Sequence, residues 1–387
     1  MSDARSECRM TSKDLFSIHI DRPDPENLKM SQKKWDSIAK PIDGLGTLEE
    51  LISRIAAVQG NVCPDITRKA VIIMCADNGV FEEGVSQTEQ KVTYDVACLM
   101  GARRSSVGRM AKGYPVDFYV YDIGINSEET PDGVMNAKIR RGTANFTKEP
   151  AMQLQECLDA VRTGIDAARQ CKENGCGILA TGEMGIGNTT TSTALLCALK
   201  GLDPETCTGR GAGLTDSGLR RKIKAIREGL RIHRGEKAGA EITSKEEVLE
   251  ALRCLGGLDI AGLTGVFIGG AVYGVPVVID GFISAIAALI AEKLVPGCRD
   301  YMLASHMGRE KGMERILEEL SLKPVIHADL ALGEGTGAIL LFPMLDMAMS
   351  LYLEGTAFEE TQIGQYERFE KQKLQSESGK REPGGKS

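Results

Sequence analysis

The chain is short of the residues that hold metal ions and of the patterns that bind nucleic acid. It has only 4 histidines in 387 residues, and its 11 cysteines are scattered singly, without a Cys-x-x-Cys pair. This distribution favours buried reduced thiols over zinc sites or disulfides, so we expect no metal and no cofactor. The net charge of -7 and the lack of a basic stripe argue against nucleic acid as a partner.

Signals for export or membrane insertion are also missing. The start of the chain lacks a signal-peptide pattern, so we expect a cytoplasmic protein. Residues 260–279 are twenty positions without a charge, which is the length of a membrane span. Their glycines and Pro276 divide them into a small-residue helix, a turn and a strand. We therefore predict a buried helix followed by a buried strand, and no membrane contact.

Six short apolar runs, each ending in a polar or glycine-rich loop, are separated by segments of helix length. They cover residues 71–75, 117–121, 177–180, 277–279, 302–304 and 325–326. This order predicts an α/β fold with a doubly wound, mostly parallel six-stranded sheet of Rossmann-like type. The loops at the carboxyl ends of the strands are the expected active site.

Composition divides the chain into five segments. We assign residues 1–22 to a polar N-terminal extension, 23–62 to a helical small lobe and 63–345 to an α/β nucleotide- and base-binding domain. A C-terminal helix within 346–365, which we expect to begin after Phe342, joins the small lobe. Residues 366–387 have almost no apolar content and are predicted to be a disordered tail.

The stretch from 177 to 195 predicts an anion site. An apolar run leads into a loop with three glycines and then into a threonine-rich helix, so Gly185, Gly187 and Asn188 stand at a helix N-terminus. Glycines let backbone N–H groups approach a phosphate, and the helix end adds unpaired N–H groups and a positive dipole end. A tight strand-to-helix turn without a ligand is the alternative.

This loop differs from two familiar nucleotide motifs. Asn188 stands where a Walker A loop has lysine, Glu183 would repel a triphosphate, and the third glycine of a dinucleotide fingerprint is missing. The loop is therefore predicted to hold one phosphate and a hydroxyl-bearing sugar. Glu183 is placed to accept hydrogen bonds from ribose hydroxyls.

A second glycine-rich stretch, 332–338, surrounds a single carboxylate. Glu334 lies between Gly333 and Gly335, where the bare backbone lets its side chain project into a cleft. That placement suits a general base. The alternative is a glycine-rich helix start with Glu334 in its first turn.

Three further residues are candidates for substrate contacts. Lys222 follows a glycine-rich segment and is a candidate cation for a phosphate or a carboxylate, with a solvated helix lysine as the alternative. Ser86 and Gln90 lie in a loop of mixed polarity that would line a flat aromatic ligand. A plain surface loop is the alternative there.

These patterns together predict a metal-free transferase or hydrolase that acts on a ribosyl monophosphate. The sequence has no Gly-x-Ser-x-Gly elbow and no HExxH motif. Asp280 has no neighbouring acid, so the paired-acid loop that a diphosphorylated ribose donor with magnesium needs is absent. A mononucleotide donor fits better.

Several blocks in one order resemble the nicotinate-nucleotide:dimethylbenzimidazole phosphoribosyltransferase family from about residue 24 to 362. They are 40–49 (KPxxGLGTLE), 76–80 (ADxGV), 140–146 (RRGTxNF), 149–152 (EPAM), 182–190 (GEMGIGNTT), 278–282 (VIDGF) and 332–338 (LGEGTGA). The resemblance implies that nicotinate mononucleotide loses nicotinate while 5,6-dimethylbenzimidazole takes the ribosyl phosphate, with inversion at the anomeric carbon. The product is alpha-ribazole 5'-phosphate, the lower-ligand nucleotide of cobalamin.

The resemblance also assigns roles to residues. It implies that Glu334 is the general base that removes the benzimidazole N–H proton, and that the chain forms a homodimer with a small helical lobe built from both chain ends. The substrate-binding residues are then Ser86, Gln90, Glu183, Gly185, Gly187, Asn188, Lys222, Asp280, Gly333 and Gly335. Asn78 replaces a common histidine of the family, and residues 87–90 and 307–313 also differ. Another benzimidazole, a purine or a phenol as acceptor, water as acceptor, and a non-catalytic nucleotide-binding protein are the alternatives.

Overall fold

A computed structural model describes residues 9–368 and places a six-stranded sheet at the centre of the chain. The strands are β1 Lys69–Ala76, β2 Val116–Gly124, β3 Met135–Asn136, β4 Ile178–Met184, β5 Val277–Ile279 and β6 Met302–Ala304. All neighbouring strands pair in parallel, in the order β3-β2-β1-β4-β5-β6. The predicted fold class is confirmed.

One of the six predicted strands is wrong. Residues 325–326 are not a strand of the sheet, because Ile326 forms only a single parallel bridge with His306 beside the end of β6. The sixth strand is instead β3, which pairs with β2 at Tyr121 and Asp122. A two-residue edge strand is too short to show a periodic pattern, which is why no sequence signal marks it.

Helices cover both faces of the sheet. Their bounds are α1 Ser12–Ser17, α2 Pro25–Ser37, α3 Thr47–Gln59, α4 Val92–Gly101, α5 Ser106–Met110, α6 Leu154–Glu173, α7 Asn188–Lys200, α8 Pro204–Cys207, α9 Asp216–Arg234, α10 Lys245–Leu255, α11 Leu258–Val272, α12 Phe282–Leu294, α13 Met313–Glu319 and α14 Thr336–Glu354. On β1, Ile72 and Met74 face a core shared with α6, α7, α11 and α12, whereas Val71 and Ile73 face one shared with α3, α4 and α14. A strand buried on both faces needs an unbroken apolar sequence, and β1 has one.

The strand order reverses between β1 and β4, and the loops after these strands pack against each other. A Cβ added at Gly185 would lie 2.4 Å from the carbonyl oxygen of Ala76, and one at Gly187 would lie 3.3 Å from Asn78 Cβ. Larger residues would push the loops apart. This reversal is the point at which doubly wound sheets bind their ligands.

Helices from both ends of the chain pack together beside the sheet. The Trp35 ring of α2 lies 4.8 Å from the Tyr352 ring of α14, and the Tyr352 hydroxyl donates to Ser31 Oγ at 2.9 Å. Ile38 and Ala357 form an antiparallel bridge. Helices near the two ends of the described chain are thereby packed together.

Two features at the chain ends go beyond the sequence pattern. The predicted N-terminal extension contains α1, which buries Leu15. The last helix begins at Thr336 and not after Phe342, because burial on both sides of Pro343 outweighs the one helix hydrogen bond that proline removes. At the start of the predicted tail, the Tyr366 ring contacts Phe358 and Arg368 pairs with Asp36 and Asp43, while residues 369–387 lie outside the described residues.

The uncharged segment 260–279 forms most of α11, a turn and β5, as predicted. Within the described chain, α14 is the one helix long and apolar enough to cross a membrane, and 56% of its apolar window is buried against the rest of the protein. The inner face of α14 is therefore part of the folded core.

Candidate active site

A cavity of about 210 Å³ opens at the carboxyl ends of β4, β5 and β6. It brings together five of the residues predicted from the sequence to bind substrate: Glu183, Gly185, Asn188, Asp280 and Gly333. They come from the end of β4, the start of α7, the loop after β5 and the turn before α14. The cavity therefore lies where the fold places ligands.

The N-terminus of α7 points its first residues into this cavity. Gly187 is the N-cap residue, with φ of 96°, and Asn188 and Thr189 line the cavity wall. Only a residue without a Cβ adopts this backbone easily, so the glycine allows β4 to turn directly into the helix. The positive end of the 13-residue helix dipole is thereby directed at the cavity.

Lys222 is buried beneath the same helix end, with 1% of its surface exposed. The alternative of a solvated lysine is therefore wrong. Its ammonium group donates to Thr189 Oγ1 at 2.9 Å and to the Gly209 carbonyl at 3.2 Å, which are both neutral oxygens. Burial lowers the pKa of Lys222 to about 8, and the carboxylate of Glu310 opposes that shift. A buried cation held by neutral groups is suited to receive an anion from the cavity.

Glu183 lines the cavity beside the start of α7 and is also buried, with 8% exposed. It accepts a hydrogen bond from the Asn188 side-chain amide, which donates in addition to Asp259 Oδ2 at 3.1 Å. Burial raises the pKa of Glu183 to about 8, and the negative charges of Asp259, Asp280 and Glu334 act in the same direction. The hydrogen bond from Asn188 acts in the other direction.

Asp280 caps the last helix at the floor of the cavity. Its carboxylate accepts from the backbone N–H groups of Gly335 at 3.1 Å and Ala338 at 2.9 Å. Burial raises the pKa of Asp280, while His306 and the backbone donors oppose the shift. The carboxylate thus fixes β5 to the start of α14 and holds the Gly333–Gly335 turn in place.

His306 presents a nitrogen acceptor to the cavity. The Ser305 hydroxyl has one hydrogen, and its Oγ lies 2.6 Å from the Ile279 carbonyl and 2.9 Å from His306 Nδ1. We assign the hydroxyl as donor to the carbonyl, so that Nδ1–H donates to Oγ and Nε2 carries the free electron pair. A Cβ at Gly281 or Gly308 would lie 3.8 or 3.7 Å from Nε2, so these glycines keep that nitrogen accessible.

Glu334 lies in a strained turn beside the cavity, and its side chain is not part of the cavity wall. Three consecutive residues have positive φ: Gly333 at 85°, Glu334 at 61° and Gly335 at 87°. The Glu334 carboxylate accepts from Ser106 Oγ at 2.9 Å and from the Val107 backbone N–H at 3.1 Å. It therefore caps α5, whereas the alternative drawn from the sequence placed it in the first turn of its own helix. A non-glycine residue held in this conformation costs about 1 kcal/mol or more and often marks a functional position.

The two remaining predicted residues lie on the other side of the strand reversal. Gln90 lines a separate cavity of about 440 Å³ with Asp77, Tyr94 and Asn126, and its Oε1 accepts from Asn126 Nδ2 at 3.0 Å. Ser86 lies outside the residues that line either cavity, and its hydroxyl contacts Thr88.

Sequence reasoning missed several residues of the site. They are Ser106, Thr189, Asp259 and Glu310, and no sequence pattern assigned a role to Ser305 or His306. Asp259 is in the first turn of α11 and Glu310 in an irregular segment, and neither belongs to a glycine-rich motif. Within residues 9–368, no group of three or more His, Cys, Asp and Glu side chains is arranged to hold a metal ion.

A Rossmann-type sheet with a glycine-rich loop, a buried lysine and buried carboxylates near the strand reversal is typical of α/β enzymes that act on nucleotides. Comparison with known proteins narrows this class, since a family described as "Phosphoribosyltransferase" matches residues 20–363. The nicotinate-nucleotide–dimethylbenzimidazole phosphoribosyltransferase of Ruminiclostridium cellulolyticum is 41% identical over 345 residues, which is 89% of this chain and 96% of the relative. That of Clostridium acetobutylicum is 40% identical over 335 residues, 87% of this chain and 93% of the relative.

Solved structures agree with the sequence comparison. The crystal structure of CobT from Thermus thermophilus superimposes with a TM-score of 0.80 at 39% identity, covering 87% of this chain and 98% of that one. The chain belongs to the nicotinate-nucleotide–dimethylbenzimidazole phosphoribosyltransferase family.

Proposed function

We propose that this protein transfers the phosphoribosyl group of nicotinate mononucleotide to 5,6-dimethylbenzimidazole, giving alpha-ribazole 5'-phosphate and nicotinate for the lower ligand of cobalamin. The observation that carries the nucleotide part is Lys222, a buried ammonium group beneath the N-terminus of α7 whose hydrogen-bond partners are neutral. Together they supply a cation, backbone N–H groups and a dipole for one phosphate. The activity for which the relatives are named supports the choice of donor and acceptor.

We orient the mononucleotide in this cavity by its phosphate. Its phosphate lies against Gly185, Gly187 and Asn188 with Lys222 behind them, and its ribose hydroxyls lie toward Glu183. The anomeric carbon then lies toward the turn that contains Gly333, Glu334 and Gly335.

The proton of the acceptor base goes to Glu334 in this proposal. One ring nitrogen of the benzimidazole attacks the anomeric carbon with its lone pair, and the bond to nicotinate breaks with its electrons on the pyridine nitrogen. The attacking ring becomes cationic, so its N–H becomes acidic and a carboxylate accepts the proton. Two of the roughly four lone-pair sites of Glu334 are used by Ser106 and Val107, which leaves others free.

Gln90 is the residue from which we infer the binding site of the acceptor base. The cavity that it lines with Asp77 and Tyr94 adjoins the loop after β1 and offers an aromatic wall and polar groups for a flat heterocycle. We assign Gln90, and Ser86 from the same loop, to the acceptor base.

The first experiment measures nicotinate release from nicotinate mononucleotide with and without 5,6-dimethylbenzimidazole. We expect release that depends on the added base and that falls by roughly a hundredfold or more in Glu334→Gln, as loss of a general base requires. Glu228→Gln, a surface carboxylate of α9, is the matched control and should release nicotinate like the native chain.

Each other outcome points to a different function. Release that ignores the base would make the protein a hydrolase. Release with a purine, a phenol or another benzimidazole only would keep the transferase and change the acceptor. Absence of turnover with all bases, combined with tight nucleotide binding, would make it a binding protein.

We further propose that the protein is a cytoplasmic homodimer. Helix α14 carries a stripe of apolar side chains on its outer face, among them Leu340 and Met347, with 38% and 76% of their surfaces exposed. An exposed apolar stripe on a helix whose other face is core is suited to a second copy of the chain.

A further inference from the structure

Two buried carboxylates behind the candidate phosphate loop share one amide group. The Asn188 side-chain nitrogen donates one hydrogen to Glu183 Oε2 and the other to Asp259 Oδ2, at 3.1 Å in the second case. Asn188 begins α7, Glu183 is near the end of β4 and Asp259 is in the first turn of α11. The amide therefore joins three elements directly behind the cavity.

Glu183 and Asp259 differ in their access to a ligand. Glu183 lines the cavity, whereas Asp259 has none of its surface exposed and faces the interior. The Gly185 backbone packs against Asp259, since a Cβ there would be 2.7 Å from Asp259 Oδ2. Asp259 can therefore act on a bound nucleotide only through Asn188, Glu183 and the loop backbone.

Two buried carboxylates this close do not both ionise easily, because each negative charge disfavours the other. Backbone N–H groups in the first turn of α11 stabilise the charged form of Asp259. The negative charges of Asp280 and Glu334 disfavour the charged form of Glu183. Burial raises the pKa of both groups, to about 6 for Asp259 and about 8 for Glu183. Of the two, we therefore expect Glu183 to be the protonated group at neutral pH.

We propose that Asp259 is a positioning residue of the nucleotide site, which orients the Glu183 carboxyl group through the Asn188 amide and keeps it protonated while the anionic nucleotide binds. A neutral Glu183 does not repel the phosphate, and its O–H group adds a donor for a ribose oxygen. This inference rests on the proposed function, because it takes nicotinate mononucleotide as the ligand.

A test must distinguish the titration of Glu183 from that of the other charged groups around it. Asp259 faces it from α11, Asp280 from the end of β5 and Glu334 from the turn before α14. Lys222 is the other group of the site with a pKa near 8, so alkaline loss of affinity has two sources. Variants of Asp259 and Glu183 distinguish them, since neither residue is a hydrogen-bond partner of Lys222.

The experiment measures the dissociation constant of nicotinate mononucleotide by titration calorimetry between about pH 6 and about pH 10, a range that spans both groups. We expect Asp259→Asn to move the alkaline loss of affinity about one pH unit lower, because removal of a neighbouring negative charge lowers the pKa of Glu183. In a Glu183→Gln background the same substitution should cause no shift. Asp122→Asn is the matched control, because Asp122 is equally buried but lies at the end of β2.

Several results would overturn the inference. A shift of equal size with Gln at 183, or none with Glu at 183, would show that Asp259 has only a structural role. If Asp259→Asn does not fold, Asp259→Ser, which also removes the charge, takes its place in both backgrounds, with the same shift expected when residue 183 is Glu and none when it is Gln. A native chain that binds no nicotinate mononucleotide at any pH would overturn the proposed function itself.

Discussion

On helix α9, an exposed lysine would only be solvated, whereas a buried lysine can bind a phosphate. Lys222 is the buried one. Its ammonium group has neutral partners beneath α7, so we expect Lys222→Met to weaken binding of nicotinate mononucleotide at least tenfold, as loss of a desolvated charge pair does. Nicotinate riboside, which lacks the phosphate, should bind both proteins alike. Lys224→Met is the control, because Lys224 is exposed on the same helix. Equal weakening for nucleotide and riboside would contradict phosphate binding by Lys222.

Among single residues, the sequence predicted those that lie in glycine-rich loops. The glycines around Glu183 and Glu334 marked both loops, because a bare backbone between a strand and a helix is a local pattern. The pattern did not reveal that Glu334 reaches across to Ser106, since that contact joins positions 228 apart. Asp259 and His306 could not be predicted as site residues for the same reason. Their place in the site depends on which helices and strands pack together, and not on their neighbours in sequence.

Among the elements, α6 and α11 cross with their backbones in close contact. A Cβ at Gly265 would lie 1.9 Å from the Val161 carbonyl oxygen, so the backbones touch directly. We expect Gly265→Ala to destabilise the protein by about 3 kcal/mol, which overpacking at a rigid site causes, and to lower the melting temperature by several degrees. Gly239→Ala, where nothing lies within 4 Å, should melt like the native chain. Native-like melting of Gly265→Ala would show that the helices separate easily.

The glycines of this crossing also explain how far the elements could be predicted. The glycines and Pro276 in the uncharged run 260–279 predicted a helix, a turn and a strand. A helix that crosses a membrane would instead be continuous over this length. The edge strand Met135–Asn136 and the true start of α14 were missed, since pairing with β2 fixes the first and burial on both sides of Pro343 fixes the second. Both are tertiary effects that override the local signal.

For the whole molecule, the apolar outer face of α14 is the feature that a monomer leaves unexplained. Leu340 and Met347 are exposed on this face, two turns apart, whereas Met344 and Leu351 beside them are partly buried against the core and the opposite face is packed on the sheet. A membrane would have to replace that core packing to receive the whole helix, whereas a second copy of the chain needs only the outer face. The geometry therefore favours association of two chains through α14.

Met347→Glu tests this association, because it places a charge at the most exposed position of the stripe. We expect the native chain to sediment as a dimer and Met347→Glu as a folded monomer, since burial of an unpaired carboxylate at an interface costs several kcal/mol. Met30→Glu, at an exposed apolar position of α2 with 52% of its surface accessible, should leave the dimer intact. Monomeric sedimentation of the native chain would contradict the homodimer. Dissociation by both substitutions would instead place the contact on the helical lobe formed by the two chain ends, where α2 packs against α3 and α3 against α14.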